Sequence, residues 1–161
     1  TPIYHVFDLF VNHTGQIRLG LEIISDTYSI KAKSFVGGRL SFTLDRVPYF
    51  DGSATYDPDR QMVCLALVNF HKDETCEVKI DLKDLPVAKE IQVFELTAAD
   101  PYATNDFTAP NTVVPRAKQV LVRKTPFVAQ LPPHSLVVFE FPASKPLDIG
   151  KFGEVQNQAD R

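Results

Sequence analysis

The chain has 161 residues, 44% of them hydrophobic, with 17 basic and 20 acidic side chains and a formal charge of -3 at pH 7. That balance sits near the globular average, so it excludes a highly charged disordered chain and offers no basic patch for a nucleic acid. The length suits one domain that buries a single core without disulfides or metals, and a soluble chain is expected because no apolar run approaches the ~20 residues that cross a bilayer.

Thr1-Pro2 followed by Ile3, Tyr4, Val6, Phe7, Leu9, Phe10 and Val11 predicts a helix, with Thr1 at the N-cap, Pro2 in the first turn and Gly15 just past the end. Its apolar residues occupy most of the circumference, and only His5, Asp8, Asn12 and His13 are strongly polar. A helix of that kind is normally covered on more than one side, which hints at a larger neighbour. From Gln16 the period changes to two, with Ile17, Leu19, Leu21 and Ile23 on one face of an expected strand. Tyr28 to Val36, Gly37-Gly38 and Arg39 to Leu44 read as a hairpin or as a loose insertion.

Pro48 to Tyr56 is expected as the next strand, closed by the turn Asp57-Pro58-Asp59-Arg60. Met62 to Asn69 is apolar on both faces, as a central strand covered on both sides would be, whereas Thr75 to Leu82 alternates, with Cys76, Val78, Ile80 and Leu82 inward. These two are expected to pair as a hairpin around His71 to Glu74. Glu90 to Leu96, Lys118 to Arg123, Pro126 to Leu131 and Ser135 to Phe141 complete the strands, the last with Val137, Phe139 and Phe141 on one face. Beyond Pro142 no period remains, and residues 143–161 are expected to fray. The fold expected is mainly β: an antiparallel sandwich with one N-terminal α-helix.

Between two of these strands hangs Leu96 to Pro115, a loop of a length uncommon without a functional or packing role. Asp100-Pro101 and Ala109-Pro110 mark turns in it, because proline fixes its own φ and biases the residue before it. Its aromatics Tyr102 and Phe107 are the best candidates for sugar contact, since ring faces stack on sugar C–H surfaces, although rings flanked by proline more often anchor a loop to its sheet.

Chemistry is otherwise sparse. His5, His13, His71 and His134 fall in separate segments without the i, i+4 spacing of paired helix ligands, and Asp51, Asp57 and Asp59 read as an acidic turn in preference to a calcium site. No Gly-x-Ser-x-Gly elbow is present, and most acids fall on outward strand positions or turns. Cys64 and Cys76 lack the Cys-x-x-Cys spacing and are expected to remain reduced and largely buried. Asn12-His13-Thr14 is a glycosylation sequon at an expected helix end. No catalytic, cofactor-binding or metal-binding residue is assigned.

The loop text Leu96-Thr97, Asp100-Pro101-Tyr102-Ala103-Thr104-Asn105, Pro110 and Val113-Val114-Pro115 resembles the carboxy-terminal domain of α-L-arabinofuranosidases of glycoside hydrolase family 51. Val47-Pro48-Tyr49 with Ser53-Ala54-Thr55, Leu67-Val68-Asn69, and Leu131-Pro132-Pro133-His134-Ser135 resemble the same domain in the same order, and Pro2 to Gly15 is similar to the family's last barrel helix. The resemblance implies a jelly-roll-like sandwich at 16–142 behind a barrel helix at 1–15. Its partner would be a catalytic (β/α)8 barrel, which alone takes about 250 residues and carries the two glutamates of a retaining glycosidase. The chain is thus expected to be inactive alone and to meet arabinose-containing polysaccharide through its parent. In relatives the segment before the barrel contributes to the sandwich, so an unpaired strand edge is expected too, with homo-oligomerisation as one consequence. A carbohydrate-binding module and a structural interaction domain are the alternatives; no cofactor, nucleic-acid or membrane partner is expected, and the compartment is left open, cytoplasm ahead of secretion.

Overall fold

A computed structural model describes residues 1–33 and 41–152. Helix α1 (Pro2–Asn12) leads into β1 (Ile17–Arg18), β2 (Thr27–Lys33), β3 (Ser41–Pro48), β4 (Phe50–Asp57), β5 (Met62–Asn69), β6 (Cys76–Ile80), β7 (Glu90–Leu96), β8 (Arg116–Leu121), β9 (Phe127–Leu131), β10 (Ser135–Pro142) and the short α2 (Ile149–Phe152). A six-stranded antiparallel sheet runs in the order β1-β4-β5-β10-β7-β8, and β6 and β9 form a second sheet of two strands. The sheets close on a core of Val63, Leu65, Leu67, Ile91, Val93, Val137, Phe139 and Phe141 from the large sheet, met by Ile80 and Leu131 from the small one. This is the expected β-sandwich.

β5 is central for the reason its sequence suggests. Flanked by β4 and β10, it is buried on both faces, so an outward polar position would have no water to face. The same fact overturns the expected β5–β6 hairpin. β5 spends both edges on β4 and β10, and β6 crosses to the other sheet, where it pairs β9 from Cys76↔Leu131 to Ile80↔Phe127. Ile80 of β6 is buried while Cys76 and Val78 are only half-buried, because β6 borders the open side of the sandwich.

Two further expectations change, and one is met. The strand from Gln16 shrinks to Ile17–Arg18, and the expected alternation holds only in part: Leu19 is buried and Ile17 and Ile23 are half-buried, but Leu21, expected on the same face, is exposed. β2 and β3 do pair as a hairpin, while its expected turn at Gly37-Gly38 lies outside the described residues. Of residues 143–152, expected to fray, two are tied down: Ala143 bridges Val87, and the buried Leu147 joins the core beneath the Tyr56 hydroxyl. The remainder of that tail lies outside the described residues.

α1 forms where expected, but its ends work differently. Thr1 makes no side-chain cap bond; its carbonyl accepts from the Tyr4 N–H at 3.1 Å. Gly15 serves a close approach and not a helix cap. A Cβ there would fall 2.2 Å from the Tyr56 carbonyl carbon, and the Gly15 N–H donates to Thr55 Oγ1 at 2.8 Å, so the chain leaving the helix lies directly on β4.

Candidate functional site

The outer face of the large sheet, the one turned away from the small sheet, carries most of the molecule's unusual side chains. Leu9 and Val6 of α1 pack there on Ala66, Val68, Leu136 and Val138. At the end of the helix His13 Nδ1 meets the buried Glu140 Oε1 at 2.9 Å, and the His13 ring lies 3.9 Å from the Phe94 ring. Arg60 reaches the same Glu140 oxygen at 3.3 Å and donates to the Asn12 carbonyl at 2.9 Å. Its Nε donates to Asp57 Oδ2 at 2.8 Å, and its Nη2 lies 3.6 Å from Cys64 Sγ.

Asp57 owes its position to the β4–β5 turn. Its Oδ1 accepts from the backbone N–H groups of Asp59 and Arg60, both at 3.0 Å. Those backbone bonds, with the Arg60 guanidinium, hold its carboxyl below the usual carboxylate range. Burial pushes the Cys64 thiol up to about 11, the neighbouring Glu140 adding to the shift. Both carboxylates of this cluster are thus engaged by one arginine and do not face each other across a pocket. The arrangement fastens the C-terminal end of α1 to the sheet; it supplies no general acid opposite a nucleophile.

The long loop is held by residues other than its aromatics. Asn105 donates to the Val113 carbonyl at 2.8 Å and accepts from the Val113 N–H at 2.7 Å, closing the loop on itself, and the buried Val113 with Ala103 packs on the outer-face core. Asp106 caps the tip: the Thr108 hydroxyl, and after it the Ala109 and Thr108 N–H groups, donate to its carboxyl and hold it below the usual range. Tyr102 and Phe107 are among the most exposed side chains of the chain, at 82% and 106% of full accessibility. The reading that they anchor the loop is therefore wrong: an aliphatic residue and an amide do that work, which leaves both rings free.

The histidines stay apart, as their spacing implied. His5 meets Tyr4 edge-on, His71 stacks on Tyr49 with ring centroids 3.7 Å apart, and His134 holds a turn at the opposite end of the outer face from His13. Among the described residues no group of three His, Cys, Asp or Glu side chains is placed to hold a metal ion. Both cysteines are free; Cys64 is buried and Cys76 half-buried. No helix among the described residues is long and apolar enough to cross a membrane.

Among the described residues, two apolar surfaces border the elements already named. Ile3, Tyr4, Phe7, Phe10 and Val11 of α1 face outward, the first three more than 60% exposed, and a groove of about 460 Å³ separates this helix from the loop beneath Phe70 and Pro101. On the inner side, β6 has β9 on one edge and no strand on the other among the described residues. Beside it lies a groove of about 410 Å³ floored by Ala54, Leu65 and Leu67 and walled by Leu21 and Ile23. Sequence reasoning anticipated the helix face from its all-round apolarity. It missed Glu140, the one charged residue of β10, set between Phe139 and Phe141, and a lone acid in such a strand was the available signal.

The sequence model of the α-L-arabinofuranosidase C-terminal domain matches residues 1–135. Among solved structures, the thermostable family 51 α-L-arabinofuranosidase of Thermotoga petrophila RKU-1 superposes with a TM-score of 0.78 at 30% identity, over 86% of this chain and 28% of that one. The α-L-arabinofuranosidase of Thermotoga maritima, solved as an arabinose complex, gives the same four values. The family 51 enzyme of Xanthomonas axonopodis pv. citri shares the fold at 24% identity and a TM-score of 0.60, over 86% of this chain and 25% of its own. No curated protein matches. The chain spans little more than a quarter of the length of these relatives, and over that span it belongs to the α-L-arabinofuranosidase C-terminal domain family.

Proposed function

We propose that this chain acts as the non-catalytic β domain of a family 51 α-L-arabinofuranosidase, seated against a (β/α)8 barrel that removes terminal arabinofuranosyl units by a two-carboxylate retaining mechanism. The observation that carries the reading is α1. Its inner face is fastened by His13, Glu140 and Arg60, yet Ile3, Tyr4, Phe7 and Val11 stand in water, an arrangement suited to a helix with a second neighbour. The open edge of β6 is a second place where a segment from outside these 161 residues would dock, by adding a strand over Ala54, Leu65 and Leu67. The chain's own residues position and shield; none touches the reacting sugar.

Reading the coding sequence upstream of Thr1 tests this, with an in-frame barrel carrying two strand-end glutamates as the expected result. The 161-residue chain alone is expected to give no turnover of an aryl α-L-arabinofuranoside, and turnover above a boiled control would overturn the assignment. A second reading, direct binding of arabinan or arabinoxylan, draws support from the exposure of Tyr102 and Phe107. It requires retardation of the chain in a gel containing soluble arabinan, abolished in the Tyr102→Ala, Phe107→Ala double variant.

A further inference from the structure

His134 closes the β9–β10 turn in a left-handed conformation, φ 39°, and touches two other segments at once. Its backbone N–H donates to the His71 carbonyl at 2.8 Å; its ring places Nδ1 2.9 Å from the Lys72 carbonyl and Nε2 2.7 Å from the Ala98 carbonyl. Lys72 lies in the β5–β6 connection and Ala98 at the root of the long loop. A carbonyl oxygen only accepts, so both ring contacts are hydrogen bonds only when both ring nitrogens carry protons, that is, when the ring is an imidazolium. The backup for the loop carbonyl is weak. Thr97 has one hydroxyl proton, and its contact with the Pro133 carbonyl at 3.1 Å is shorter than that with the Ala98 carbonyl at 3.4 Å.

We propose that His134 is a proton-dependent clasp, which ties the root of the 97–115 loop to the β5–β6 connection in its doubly protonated form and releases one of the two when it loses a proton. The segments around it carry other charges: Lys72, Asp73 and Glu74 on the β5–β6 connection, with His71 3.7 Å from Glu74, and Asp100 on the loop. Asp100 is already engaged by the Tyr102 N–H, at 2.9 Å. The backbone of the β5–β6 connection is tied independently, because the fully buried Asn69 accepts from the His71 N–H and donates to the Glu74 carbonyl. Among the described residues the loop root's other holds are the Thr97 hydroxyl and the packing of Ala98 on the outer-face core, neither of them a buried amide that fixes the backbone at two points, so the loop is the end that lets go.

Hydrogen exchange by mass spectrometry, corrected for intrinsic rates, tests this on the 161-residue chain at about pH 5.5 and about pH 8. Peptides covering residues 97–104 are expected to lose protection about tenfold at the higher pH, the worth of one charge-assisted bond, while peptides from β10 hold theirs. The His134→Gln variant, whose amide donates from one nitrogen, is expected to show the loosened loop at both pH values. The His71→Gln variant is expected to keep the wild-type response. Loop protection that is flat with pH in the wild type, or a pH response that survives His134→Gln or vanishes in His71→Gln, would overturn the proposal. Should His134→Gln fail to fold, ring nitrogen shifts of the wild type decide: loop opening must track proton loss at His134 and not at His71.

Discussion

The two faces of β5 and β10 make an instructive contrast. Inward, Val63, Leu65, Leu67, Val137, Phe139 and Phe141 meet the small sheet in an apolar interface, with the buried Asn69 at its end donating to the Leu131 carbonyl at 3.1 Å. Outward, on the alternate residues of the same strands, Cys64, Ala66, Leu136, Val138 and Glu140 are just as buried, but they are covered by a helix and a loop, and a charged cluster is set among them. Strand pairs with shared alternation build the first face. The second is assembled from segments with no period in common, so it needs specific polar ties to fix where each piece lands: Glu140 with Arg60 and His13 for the helix, Asn105 with Val113 and His134 with Ala98 for the loop. The inner face is expected to respond to lost volume and the outer face to lost partners.

The inner face should give the largest effect. Phe141 is fully buried, with Phe127 and Phe139 ring centroids 6.2 and 6.3 Å away. Phe141→Ala is expected to cost about 4 kcal/mol in a urea titration, from lost transfer energy and the cavity left behind. A loss below about 1 kcal/mol would mean that the two faces do not differ as described.

On the outer face Glu140→Gln keeps the volume and removes the charge from beneath His13 and Arg60. Arg60 is 40% exposed and finds water, so the expected cost is about 2 kcal/mol, the range of hydrogen bonds to a charged group. The signature matters more than the size. Proteolytic cleavage near Thr14 should accelerate while β10 stays protected, because the fastening of α1 is lost and the sheet is not. Uniform loosening would point to a core role instead.

How much of this was legible follows the same division. Strands β4, β5, β7, β9 and β10 could be read because alternation or continuous apolarity reports burial directly, and the Asp57 turn because its residue types build turns. The partner of β6 could not, since alternation reveals which side of a strand is buried and nothing about which strand lies beside it. The outer-face ties were hidden for a related reason: Glu140 and Arg60 are 80 positions apart in sequence order and meet only because β10 lies against β5, with Glu140 opposite Cys64 in the register. The loop carried its motif in plain sight, yet its aromatics drew attention while the closing pair was Asn105 and Val113.

A smaller effect comes from Cys64, whose thiol burial raises from its ordinary 9.0 to about 11. Between those two values the unfolded chain has lost the proton that the folded chain still holds, so stability is complete below about pH 9 and falls as pH rises toward about 11. Cys64→Ser is expected to flatten this alkaline limb, measured as urea midpoints at pH 8 and pH 10. Thiol labelling at pH 8 should likewise modify the half-buried Cys76 first and reach Cys64 only on unfolding. Equal labelling rates in the native state would contradict the burial of Cys64.

The smallest expected change in stability is at the surface neither face uses. Phe7 and Phe10 lie on the outward side of α1, 65% and 39% exposed, so replacing both with Ser removes little buried area and is expected to leave the unfolding free energy from a urea titration within about 0.5 kcal/mol of wild type. Association should change far more. Together with Ile3, Tyr4 and Val11 they form one apolar stripe that none of the described residues covers, and in the isolated chain another copy can meet it. Light scattering across a dilution series is expected to show the wild type self-associating and the double variant closer to a monomer. A wild-type chain that stays monomeric at high concentration with α1 intact would show that the stripe tolerates water, and it would remove the main physical reason for placing a barrel against this helix.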